Sequence, residues 1–386
     1  MPEAVIVDAV RSPIGRAFKG SLTGVRPDDL GAYVVDALMA RNPEVDPASI
    51  EDLMCGCGQP MGEQAHNIGR ILVLLSGLPD SVPGHTVHRY CASSLQAIRE
   101  AAYSVRVGEG HTFIAAGVEC VSRVAMHSEA VQPEAQNEKL NGEDGRTWAY
   151  IPMGNTAENV AERWGVSRED QDAYAKRSQD RAVEARDSGF FDREIVPIEL
   201  PDGGTFDKDD GPRAGTTVEK LSQLKPVFRE GGTVTAGNAC PLNDGAAAVL
   251  VMSDDRAKEL GLKPRARIVA SATSGLEPEI MGVAPIEAIR SVLKRAGMSI
   301  GDIDVVELNE AFAAQVLPIA EEVGIDHDKL NPHGGAIALG HPFGMTGARI
   351  MTTLLNDLET DDGQFGIETM CAAGGQGMAM IVERLK

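Results

Sequence analysis

Two thiols and an imidazole in this chain sit among glycines and small residues that let backbone come close to a ligand: Cys91 in HRYCASSLQA, His341 in GGAIALGHPFGMTGAR and Cys371 in ETMCAAGGQG. A thiolate can attack a carbonyl, a histidine can take its proton, and a second thiol can exchange a proton at a neighbouring carbon. That set suits making or breaking a carbon–carbon bond next to a thioester. Cys91 follows a short β-like run and precedes a helical one, in which Leu95, Ile98, Ala102 and Val105 recur at three- and four-residue steps as one buried stripe. Free N–H groups and the helix dipole at that point favour a thiolate, so a lowered pKa is expected for Cys91, and the same N–H groups can hold an oxyanion. On this stretch alone, a small buried hydrophobe is an equal reading of Cys91.

Composition narrows the classes. With Lys+Arg 36 against Asp+Glu 57 the net charge is −21, which argues against nucleic acid or an anionic membrane as partner but leaves room for an anionic ligand held by a few local cations. No run of about 18 apolar residues is present and MPEAVIVDAV leads directly into a strand pattern, so neither a membrane span nor a signal peptide is expected. ERLK is not a peroxisomal address, and the cytoplasm is the expected compartment. The cysteines at 55, 57, 91, 120, 240 and 371 lack metal-ligand spacing, so neither a disulfide framework nor a metal site is expected.

The elements that must position these residues read as alternating β and α. Ala4 to Val10 is a buried strand, Leu30 to Ala40 a helix after Asp28 and Asp29, Glu51 to Cys55 part of a strand, Ala65 to Leu75 a helix and Thr112 to Val118 a strand. From 120 to 241 charge and glycine rise and apolar runs shorten. This stretch reads as an inserted loop-rich domain with helices at 156–164 and 168–185, the second capped by Ser167 before Asp170, and with an exposed charged loop at 134–146. Ala246 to Met252 is again a buried strand. The last third then echoes the first: Arg267 to Ala270 resembles the opening strand, Ala284 to Ala296 the first helix, SIGDIDVVELN at 299–309 the run SIEDLMCGCG at 49–58, and Thr346 to Leu358 the Cys91 helix, with closing strands across 366–382. The expected division is therefore 1–119 with 242–264 as one half, 120–241 as the insert, and 265–386 as a second, similar half.

HRYCASSLQA, TAGNACPLNDGAA, LNEAFAA, GGAIALGHPFGMTGAR and CAAGGQG, in this order, resemble the signatures of the thiolases, and the similarity runs through essentially the whole chain. The resemblance implies a five-layered αβαβα fold of two similar halves with an inserted loop domain. It also implies coenzyme A thioesters and coenzyme A as substrates, no permanently bound cofactor, a homodimer or homotetramer, and another β-oxidation enzyme as a further partner. It assigns the nucleophile to Cys91, its base to His341, proton exchange at the α-carbon to Cys371, and to Asn309 a water that completes an oxyanion hole with His341. The N–H groups of Cys91 and Ala373 would form the other hole. Arg213 matches a position near the nucleotide end of coenzyme A; Met153, Ala311 and Phe312 match the pantetheine tunnel, and Cys240 stands where relatives have a pantetheine-contacting serine. Two more departures bear on the pocket: Ala373 in place of a common glycine, and Pro152 in place of the histidine of acetoacetyl-specific members.

The resemblance implies a 3-ketoacyl-CoA thiolase. Its rivals are a biosynthetic acetoacetyl-CoA thiolase, a ketoacyl synthase of the same fold, against which Cys371 argues, and a thiolase-like subunit that only binds acyl-CoA. His85, His88 and His333 are expected to be structural, and His66, His111, His127 and His327 solvated.

Overall fold

The computed structural model describes residues 2–124, 136–142 and 147–386; residues 134, 135 and 143–146 of the loop expected at 134–146, and His127, lie outside them. Ala4–Arg11, Asn243–Ser253, Thr112–Cys120, Asp52–Gly56 and Gly84–Val87 lie side by side in that order as one run of strands, with the pairings antiparallel, antiparallel, parallel and parallel. Ala266–Gly275, Gln376–Arg384, Phe365–Ala372 and Val305–Leu308 form a second run with the pairings antiparallel, antiparallel and parallel. The two runs meet edge to edge at only Val5↔Arg267 and Ile6↔Ala266. In the second run a parallel bridge between Val306 and Leu330 stands where the first has its fifth strand. The internal echo in the sequence is thus a repeat of topology.

The apolar pattern explains the layering. Strands buried along their whole length, such as Thr112–Cys120 and Asn243–Ser253, must be covered on both faces. Helices Pro27–Arg41 and Ile68–Leu75 cover the outer face of the first run. Pro285–Ala296 and Ala313–Val323 cover that of the second. Between the sheets, Ser93–Val107 and Thr346–Thr360 share one core with the inner faces of both. These two helices touch almost backbone to backbone, since a Cβ on Gly347 would lie 2.3 Å from the nitrogen of Leu95. The helix after Cys91 and the helix after His341 are thereby fixed to each other, and Ala348 N–H donates to Ser94 Oγ at 2.9 Å.

Within 120–241 the helices run Met153–Trp164 and Arg168–Asp187, slightly longer than expected, and Ser167 Oγ caps the second by accepting from Asp170 N–H. The segment is tied to the opening strand by charge. Arg11, fully buried, donates to Glu194 Oε1 at 2.7 Å and to both oxygens of Asp209 at 2.7 and 2.9 Å. Truncating Arg11 leaves two buried carboxylates without their cation, so Arg11→Met is expected to lower unfolding free energy by about 3–5 kcal/mol in urea titration. A loss below about 1 kcal/mol would mean that the cluster is hydrated.

Candidate active site

Cys91 lies between the strand Gly84–Val87 and the helix Ser93–Val107, as the residue pattern predicts. Its predicted ionisation is corrected. Burial drives the thiol well above its ordinary range, the nearby Cys371 and Glu119 push the same way, and the N–H groups of Ala373 and of Cys91 itself draw it down only in part. Local helix geometry favours the thiolate, but removal from water costs more, so the resting group is a thiol. The two N–H groups turned to this sulfur are the pair expected to form an oxyanion hole. Ala373 stands at the tip of the hairpin between Phe365–Ala372 and Gln376–Arg384, where Gly374 and Gly375 both have φ of 78°. That left-handed pair closes the three-residue loop Ala373–Gly375 and favours glycine at both places.

His341 is 2% exposed and has one usable tautomer. Its Nδ1 lies 2.7 Å from Thr346 Oγ1, and that hydroxyl donates its single proton to the carbonyl of Pro342 at 2.7 Å. Thr346 must therefore accept from Nδ1–H, which leaves Nε2 unprotonated, as an acceptor. Burial, and then the charge of Arg349, lower the pKa of His341 to about 3, so the ring is neutral at pH 7 and ready to take a proton. The backbone of His341 is held as well: its N–H donates to Asn243 Oδ1 at 3.0 Å, and Asn243 Nδ2 donates to the carbonyl of Gly15 at 3.0 Å.

Asn309, 3% exposed, points Nδ2 at His341 Nε2 from 3.4 Å, while its Oδ1 is buried without a protein partner among the described residues. The Cys371 thiol donates to Gln315 Oε1 at 3.8 Å and is pushed up to about 12 by burial and then by Cys240. Cys240 in turn is raised by burial and by Cys91, so three thiols are electrostatic neighbours. Cys240 N–H donates to the carbonyl of Ala311 at 3.0 Å, and Ala311, Phe312, Met281 and Cys371 share one apolar cluster against which Met153 packs. Pro152, just before Met153, is exposed. Arg213 stands apart: it is exposed, its side chain has no hydrogen-bond partner among the described residues, and the charge nearest to affecting it is that of Arg16.

Sequence reasoning passed over Thr346, Asn243 and Gln315, which lie in or beside quoted motifs but act through contacts the motifs do not display. The remaining histidines have other surroundings. His85 bridges Asp52 at 3.0 Å and Glu100 at 3.4 Å, and His333 stacks on Phe190 and meets Asp357 Oδ1 at 2.6 Å. His88 packs edge-on against Tyr90, while His66, His111 and His327 are exposed.

Residues 4–255 match the family described as thiolase, N-terminal domain, and residues 262–384 match thiolase, C-terminal domain. The chain belongs to the thiolase family. A β-ketoadipyl-CoA thiolase of Acinetobacter baylyi is 46% identical over the full length of both chains, and a 3-ketoacyl-CoA thiolase of Aeromonas hydrophila is 47% identical, also over the full length of both. Among solved structures, the dimeric peroxisomal thiolase of Saccharomyces cerevisiae superposes with a TM-score of 0.93 at 40% identity, covering 100% of this chain and 98% of that one. The acetyl-CoA acetyltransferase of Bacillus anthracis gives 0.91 at 40% identity, covering 100% and 99%. This thiolase is therefore an acyltransferase of the α/β thiolase fold, and no described helix is long and apolar enough to cross a membrane.

Two outcomes follow from the His341 geometry. Thr346→Val removes the acceptor that fixes Nδ1–H, and kcat should fall about 10- to 100-fold with KM little changed, as expected when a general base loses its tautomer; an unchanged kcat would show that the hydroxyl is not what orients the ring. The second concerns stability. The unfolded chain takes a proton on His341 near pH 6.5, whereas the folded chain resists until about 3, so stability falls as pH drops through that window. Between pH 7.5 and 5 the wild type should therefore lose more thermal stability than His341→Asn, and equal losses would place the folded-state pKa near its ordinary value.

Proposed function

We propose that this thiolase is a 3-ketoacyl-CoA thiolase, cleaving 3-ketoacyl-CoA with coenzyme A to acetyl-CoA and a shortened acyl-CoA. The observation that carries the reading is a neutral imidazole whose unprotonated Nε2 faces Asn309, in a site with two buried thiols. In the first half-reaction the Cys91 S–H proton passes to His341 Nε2 as sulfur attacks the 3-keto carbon. The resulting oxyanion is held by N–H donors, each worth on the order of 3 kcal/mol. Its collapse breaks the bond between C2 and C3 and leaves that electron pair on the acetyl-CoA enolate, whose oxygen is held by Asn309 through a water together with His341. Cys371 gives C2 its proton, and acyl-Cys91 remains. In the second half-reaction the coenzyme A thiol gives its proton to the Cys371 thiolate and attacks the acyl carbon. Cys91 leaves and recovers its proton from His341, so every group returns to its starting state.

Coenzyme A would enter past Met153, Cys240, Ala311 and Phe312, with Arg213 toward its nucleotide end. The division into halves 1–119 with 242–264 and 265–386, with 120–241 as an insert that holds coenzyme A, belongs to the same reading, as does a homodimeric or homotetrameric cytoplasmic enzyme of fatty acid β-oxidation. The dimeric yeast neighbour supports self-association. A second reading of the acyl group, a chain ending in a carboxylate, is favoured by Arg89. Among the described residues the side chain of this half-buried cation, two residues before Cys91, donates only to the amide oxygens of Gln96 and Gln376, and relatives at 46% identity bear the name β-ketoadipyl-CoA thiolase.

Chain-length kinetics test the reading. If Pro152 is an apolar wall to the acyl channel, kcat/KM for a 3-ketoacyl-CoA of about eight carbons should exceed that for acetoacetyl-CoA by more than about tenfold. Preference for acetoacetyl-CoA would favour the biosynthetic rival, and preference for 3-ketoadipyl-CoA that is lost in Arg89→Met would favour the carboxylate reading. Cys371→Ala should still accumulate an acyl adduct on Cys91 by mass spectrometry while turnover falls by orders of magnitude, and an adduct elsewhere would refute the assignment of the nucleophile.

A further inference from the structure

The repeated halves place a second functional position in register with Cys371. Cys371 pairs with Gly377 across its antiparallel ladder, and Glu119 pairs with Gly245 across the corresponding ladder of the first half. At that place Glu119 is fully buried and collects donors from three separate segments. Its Oε2 accepts from Gly58 N–H at 2.7 Å and from Gly344 N–H at 2.8 Å, and its Oε1 from Gln59 N–H at 3.2 Å and Gln64 Nε2 at 2.6 Å. No cation pairs with it among the described residues. Gly344 belongs to the turn that carries His341, whereas Gly58 follows Cys57, whose N–H donates to the carbonyl of Val87 at 3.0 Å on the strand leading to Cys91. The contact leaves no slack. A Cβ on Gly58 would sit 2.7 Å from Glu119 Oε2, and one on Gly344 would sit 2.6 Å from the Cα of Cys57.

We propose that Glu119 is a positioning residue for the reaction: its carboxylate fastens the His341 turn of the second half to the loop beneath the Cys91 strand, and so sets the base against the nucleophile. A carboxylate suits this task because it only accepts, and all its neighbours donate. The proposal rests on the reading of His341 as the base of Cys91.

Glu119→Gln keeps the shape but puts an NH2 group in place of one acceptor, facing either Gly58 and Gly344 N–H or Gln59 N–H and Gln64 Nε2, so the donors on one side lose their partner and the clamp is weakened. Displacements of about 1 Å at a reacting pair cost up to about 10²-fold in rate. The experiment titrates acylatable Cys91 in a single-turnover burst and reports kcat per titrated site with KM. A fall of about 10- to 100-fold in kcat per site, with KM within about threefold, is expected. Fewer titratable sites with normal kcat per site would overturn the proposal, because Glu119 would then serve only folding. Should Glu119→Gln fail to fold, Gln64→Ala withdraws the Nε2 donor from Glu119, together with the acceptor of Cys120 N–H, and leaves the three backbone donors to the carboxylate. A fall of about threefold in kcat per site is then expected, on the scale of one lost hydrogen bond, and an unchanged value overturns the proposal. His341→Ala measured alongside separates the two ideas, since retained turnover in that variant refutes the base assignment itself.

Discussion

The hydroxyl of Thr346 has one proton, and it is spent on the carbonyl of Pro342. Everything else at the site is arranged around that constraint. His341 must donate through Nδ1, so its basic nitrogen faces Asn309, and the ring stays neutral because it is buried near Arg349. The proposed base is neutral, and so is the proposed nucleophile. Cys91 is held as a thiol by the same burial, and charge arises only when substrate supplies an electrophile and the N–H donors receive an oxyanion. The site avoids a resting ion pair, which would cost desolvation on both partners.

The fold makes this arrangement rigid because Cys91 and His341, the proposed nucleophile and base, belong to the two repeated parts of the fold. The helices that follow them, Ser93–Val107 and Thr346–Thr360, pack between the two runs of strands, at a separation only glycine permits at position 347. Asn243 holds the backbone of His341 from one side, and Glu119 holds Gly344 from another. These contacts join residues 98 and 225 positions apart, so a two-part active site behaves as one body.

Much of this could be read in the residues beforehand. The stripe Leu95, Ile98, Ala102 and Val105 is buried as its spacing requires, which places Cys91 at the helix entrance, and the ordered echo between the thirds of the chain is the repeated sheet topology. What could not be read depends on assembly. A helix terminus lowers a thiol pKa by local geometry, whereas burial raises it through layers contributed by distant segments, and the second effect is invisible in a window around Cys91. Gln315 and Glu119 were passed over for the same reason: a glutamine on an apolar helix and a glutamate ending a strand gain meaning only from what lies across the fold. The edge-to-edge joining of the two strand runs through two residue pairs had no sequence signal either.

The central claim, that thiol and imidazole rest uncharged, is open to direct measurement. Thiolate absorbance near 240 nm, taken as the difference between the wild type and Cys91→Ser from pH 5 to 9 without substrate, should show no thiolate at neutral pH and no titration below the ordinary cysteine range of about 8.5. One thiolate per chain at pH 7 would contradict the account and restore an ion pair formed before substrate binds.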